Sequence, residues 1–114
     1  MLTIRREQMR LLARRSDAEL MPRLLERVRV MYPEQVWSTN DEALIERLKA
    51  QLQRAAGHGL HLEAHVTSYV DLCFELGDSF EEQPEYAALV ATLRARDVTS
   101  EAKARAIADE LVIG

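Results

Sequence analysis

One cysteine, three prolines and four glycines in 114 residues leave few devices for stapled, kinked or tightly turning structure. The single thiol, Cys73, cannot close an internal disulfide, so a reducing compartment is permitted. Strand-like runs of Val, Ile, Thr and aromatics are missing, and aromatic residues make up only 5% of the chain. No segment approaches the roughly 18 consecutive apolar residues of a membrane span. The opening Met1-Leu2-Thr3-Ile4-Arg5-Arg6-Glu7-Gln8 lacks the unbroken apolar stretch that a signal peptide carries behind its positive end. A cytoplasmic protein that does not enter a membrane is expected.

What is present favours helix. Hydrophobic residues account for 47% and charged ones for 30%, a folded-domain profile, and the commonest types (Ala, Leu, Glu, Arg) are strong helix formers. A chain this long buries about two-thirds of its unfolded surface, enough for one core and one domain over residues 1–114.

Apolar spacing divides the chain into helices. The first region, 4–32, is either one helix kinked near 16–22 or two helices, because Ser16-Asp17-Ala18-Glu19 reads as a capping box and Pro22 follows it. Leu20, Leu24, Leu25, Val28 and Met31 are its expected core face. Thr39 to Glu42 reads as a second capping box before Leu44, Ile45, Leu48, Leu52, Ala55 and Ala56, with Gly57 or Gly59 closing the helix. The next helix, 63–76, should bury Val66, Tyr69, Val70, Cys73 and Phe74 and stop at Gly77. Pro84 should open a helix through about residue 96, with Tyr86, Leu89, Val90 and Leu93 inward. A last helix over about 101–112 should bury Ala104, Ile107, Ala108 and Leu111. The expected fold is all-α, a compact bundle of four to five helices.

Chemistry is sparse. His58, His61 and His65 lie close together, but their spacing matches no zinc pattern, so they read as exposed turn residues and no metal is expected. Cys73 lies on an apolar face near a helix C-terminus beside Asp71 and Glu75, which favours the thiol. Asp78 and Glu81-Glu82 sit in an acidic loop that reads as solvated. No phosphate loop, nucleophile elbow or Ser-His-Asp order can be assembled, so neither an enzyme nor a cofactor is expected.

Charge is uneven. Residues 1–30 carry a net +4 and residues 63–86 a net −7, within a total of −4. This asymmetry can steer a partner or be settled internally by packing the first helix beside the acidic segment. Arg5, Arg6, Arg10, Arg14 and Arg15 raise a nucleic-acid reading, which no aromatic platform accompanies. The acidic segment raises another, an immunity protein blocking a basic toxin cleft. Trp37, Phe80 and Tyr86 fall in or beside loops, where an aromatic either ties the loop down or anchors a partner. The chain can equally pair with its own copy.

One pattern points to a family. It runs Ala56-Gly57-His58-Gly59-Leu60, Tyr69-Val70-Asp71-Leu72, Gly77-Asp78-Ser79-Phe80-Glu81, then Pro84 and Tyr86, with Tyr32-Pro33-Glu34 closing the first helix. Over residues 4–108 it resembles small helical bacterial proteins encoded beside type VI secretion effectors and their PAAR-like spike-tip or adaptor genes. The resemblance implies an accessory role: loading, stabilising or tethering an effector beside a larger adaptor chaperone. With the loop aromatics it gives Trp37, Leu60, Asp78, Phe80, Glu81 and Tyr86 as expected partner-binding residues.

Overall fold

A computed structural model describes residues 17–113, which form six α-helices and two single 3₁₀ turns. The helices are α1 (Asp17–Met31), α2 (Pro33–Val36), α3 (Asp41–Gly57), α4 (Glu63–Leu76), α5 (Ala87–Arg94) and α6 (Ser100–Ile113). The 3₁₀ turns, Phe80–Glu82 and Pro84–Tyr86, link α4 to α5. With α2 only one turn long, this is the expected all-α bundle. The expected helix over 4–15, the cap at Ser16 and Arg5, Arg6, Arg10, Arg14 and Arg15 lie outside the described residues.

Leu20, Leu24 and Val28, four residues apart, put one face of α1 into the core. Pro22 lies early in the helix, where its missing N–H deprives only the Ala18 carbonyl. Met31 was expected in the core and is 52% exposed, because the buried stripe ends at Val28 as α1 terminates. Tyr32 then turns inward and stacks on Phe74 at 5.0 Å. Arg29 ties the corner together, donating to the Val36 and Thr39 carbonyls and to Asp41.

The cap of α3 is Asn40, not Thr39. Its extended backbone lets Oδ1 accept from the Ala43 amide at 2.8 Å, while Thr39 offers its carbonyl to Arg29. Leu44, Leu48, Leu52 and Ala55 face the core. At the other end Gly59, at φ +79°, allows the Leu60 and Gly59 amides to reach back to the Ala55 and Ala56 carbonyls. In that closing motif the residue after the glycine packs on the last helical turn, which is why Leu60 is fully buried.

The central helix is α4, which packs against both α3 and α6. Arg23 of α1 bonds Glu63 and Arg27 bonds Asp71, so part of the charge asymmetry is settled between α1 and α4. Arg47 adds Asp78 at 2.8 Å and stacks over the Phe74 ring. Arg29 holds Asp41 as well, so Arg23, Arg27 and Arg29 of α1 each have a carboxylate partner. Gly77, at φ +101°, ends the helix.

Past Gly77 the expectations shift. Pro84 opens a 3₁₀ turn, and the α-helix runs only Ala87–Arg94, because Tyr86 and Ala95 leave helical backbone angles. In α6 the buried positions are Lys103 and Ile107, with Ala106 and Leu111 partly buried; Ala108 is exposed. Thr99 Oγ1 caps α6 by accepting from the Ala102 amide.

Candidate functional site

A polar cleft of about 580 Å³ opens where the end of α3 meets the end of α5 and the start of α6. Arg54, Gly57, His58 and Gly59 come from α3 and its closing turn, and Glu81 from the first 3₁₀ turn. Arg94, Ala95, Arg96 and Val98 follow from α5 and its exit, and Ser100 and Lys103 from α6.

Its floor is a chain of bonded polar groups. Glu81 Oε2 accepts from the Tyr69 hydroxyl and from His58 Nε2 at 3.0 Å, and Arg94 lies 3.6 Å from Oε1. Arg54 Nε donates to the Tyr69 oxygen at 3.2 Å and Nη2 to Cys73 Sγ at 3.6 Å. Lys103 Nζ, on a side chain only 6% exposed, donates to the His58 carbonyl at 2.9 Å. Behind this floor the rings of His58, Tyr69, Phe80 and Tyr86 follow one another at 5.6–6.2 Å, tilted or edge-on.

The electrostatics follow from these contacts. Burial alone would raise the Glu81 carboxyl, yet bonds from Tyr69 and His58 hold it below its ordinary value, so it stays a carboxylate through the neutral range. Burial pushes Tyr69 well above the usual phenol range. It pushes the Cys73 thiol up to about 11, the Arg54 contact opposing it. Near neutrality Glu81 is an acceptor and Cys73 a thiol. Among the described residues no three His, Cys, Asp or Glu side chains converge as metal ligands, and no helix is long and apolar enough to cross a membrane.

The folded chain should therefore react with iodoacetamide at pH 8 at least tenfold more slowly than the same thiol in urea, since alkylation needs an accessible thiolate. Equal rates would show Cys73 to be exposed.

The six expected contact residues separate. Leu60 and Phe80 are fully buried, so both are corrected from surface anchors to core. Tyr86 is half-buried against the Phe80 edge. Asp78 is half-buried, bonded by Arg47 and Gln51, and Glu81 joins the cleft network instead of standing in solvent. Trp37 alone stands out, 79% exposed, on the corner that also bears Val30 (71%) and Met31. His58, read from sequence as an exposed turn residue, is buried against Glu81. Of the acidic segment Glu75, Glu82 and Glu85 are exposed and Asp78 is half-buried against Arg47, while Glu63, Asp71 and Glu81 are largely withdrawn from solvent, which weakens the charge argument for an immunity role.

Arg54, Arg94, Arg96 and Lys103 were not singled out from the sequence. A signal existed for one: Lys103 stands four residues before Ile107, in phase with the apolar stripe. No family model matches this chain, and neither a curated protein nor a solved structure matches it.

Proposed function

We propose that this chain is a non-enzymatic accessory factor that binds another protein through the corner formed by the end of α1 and α2. The observation that carries this reading is Trp37. Every Phe and Tyr ring is at least partly buried against the core, whereas the indole is exposed, as are Val30 and Met31 at the end of α1. Covering one large apolar side chain contributes roughly 2–3 kcal/mol, and tryptophan is enriched where binding energy concentrates. Exposed Glu26 and Glu34 flank the corner, so the matching partner carries an apolar groove with basic residues at its rim. The partner implied by the sequence resemblance is a type VI secretion effector or its larger adaptor.

Co-expression with each neighbouring effector or adaptor, followed by size-exclusion chromatography, tests the reading. A co-eluting complex should form, and Trp37→Ala should weaken it at least tenfold while leaving thermal unfolding unchanged, since the side chain makes little internal contact. Elution alone with every neighbour, or a complex indifferent to Trp37→Ala, would overturn it. Rescue of cells from the effector's toxicity would assign the immunity role instead.

A further inference from the structure

We propose that the polar cleft between α3, α5 and α6 is a binding site for a small phosphate-bearing molecule. Elsewhere among the described residues Arg23, Arg27, Arg29 and Arg47 each hold a carboxylate, and the exception, Arg105, stands exposed on the surface of α6. On the cleft walls Arg54, Arg94, Arg96 and Lys103 share one carboxylate, Glu81, which leaves three positive charges unmatched with His58 counted as neutral.

Two of those cations are held in place. Arg54 bonds only neutral groups, the Tyr69 oxygen and the Cys73 sulfur. Lys103 is nearly fully buried with one carbonyl bonded to its ammonium, and an ammonium has three donors. Taking a cation out of water is unfavourable unless opposite charge compensates it. Here the compensation is incomplete among the described residues, and the incompleteness faces an open cleft. Arg94 and Arg96 at its mouth are exposed and bring the forked donors that suit phosphate oxygens. The cleft also lies at the start of α6, where the helix dipole adds positive potential.

Charge and size select the ligand class. An unmatched +3 suits a group carrying about −1.5 to −2, as a phosphate monoester does near pH 7, better than a single carboxylate. A volume near 580 Å³ exceeds what phosphate alone fills and lies in the range of small-molecule sites. Apart from the His58 imidazole, which is engaged with Glu81, no aromatic ring lines the cleft, so the rest of the molecule is small and polar, a sugar phosphate before a nucleotide.

Calorimetric titration of the isolated chain with glucose 6-phosphate, inorganic phosphate and glucose tests this independently of any protein partner. Glucose 6-phosphate should bind and glucose should not. Inorganic phosphate binding as tightly as the sugar phosphate would support the site and identify the free anion as its ligand. The exposed pair Arg94→Ala/Arg96→Ala should raise Kd at least tenfold with its helical spectrum intact, whereas Arg105→Ala, on α6 but outside the cleft, should leave Kd unchanged. Failure of both phosphate probes to bind at millimolar concentration, or binding equally strong in the double variant, would overturn the proposal.

Discussion

Phe80→Ala should cost about 3–5 kcal/mol, a large part of the 5–15 kcal/mol that holds a domain of this kind together. The side chain is fully buried, with Tyr69 at 6.0 Å on one side and Tyr86 at 6.2 Å on the other. Its removal deletes apolar contacts and leaves a void that two rings fixed by their own neighbours cannot close. The turn it anchors also carries Glu81, so the loss should spread to the cleft floor. Urea unfolding should show a lower midpoint at nearly unchanged slope. Trp37→Ala, removing a larger aromatic from a surface position, should stay within about 0.5 kcal/mol of wild type. The contrast is the point: two aromatics in loops, alike in sequence, differ by an order of magnitude in what they contribute. A loss below about 1 kcal/mol for Phe80→Ala would place that ring outside the core.

Periodicity read the helix flanks well and their ends poorly. Leu20, Leu24 and Val28, or Leu44, Leu48 and Leu52, declare a buried face because a helix repeats every 3.6 residues and one stripe must leave water. Leu60 and Phe80 belong to no stripe. Leu60 is buried by a helix-closing turn, and Phe80 by a 3₁₀ turn folded back on α4. Their burial depends on backbone geometry that composition does not encode. The cleft was still less legible, since Arg54, Glu81, Arg94 and Lys103 are drawn from four segments up to 49 positions apart. Each alone resembles an ordinary surface charge. Of the cleft cations only Lys103, a polar residue in phase with apolar ones, betrayed that something other than solvent waits on the inner side. Glu81 misled for the opposite reason: its acidic neighbours argued for a solvated loop, while its partners Tyr69 and His58 lie 12 and 23 residues away.

Glu81→Ala should cost about 3 kcal/mol at pH 7, because it strips a common acceptor from two buried donors, the Tyr69 hydroxyl and His58 Nε2. The His58 and Glu81 side chains are 8% and 12% exposed, so water replaces the lost bonds only partly. The same contacts set a pH dependence whose sign is fixed. With its carboxyl lower in the fold than the ordinary 4.5, Glu81 binds fewer protons folded than unfolded. Its stabilisation is therefore complete above about pH 4.5 and drains away as pH falls through the folded value. Wild type should lose stability in acid that Glu81→Gln, lacking a titrating group, does not lose at that position. The gap between the two should be widest near neutrality and narrow toward pH 3. Urea midpoints measured between pH 3 and pH 7 would show it. A gap that stays constant across that range would mean that Glu81 titrates as it does in the unfolded chain, and that the bonds from Tyr69 and His58 do not favour its ionised form.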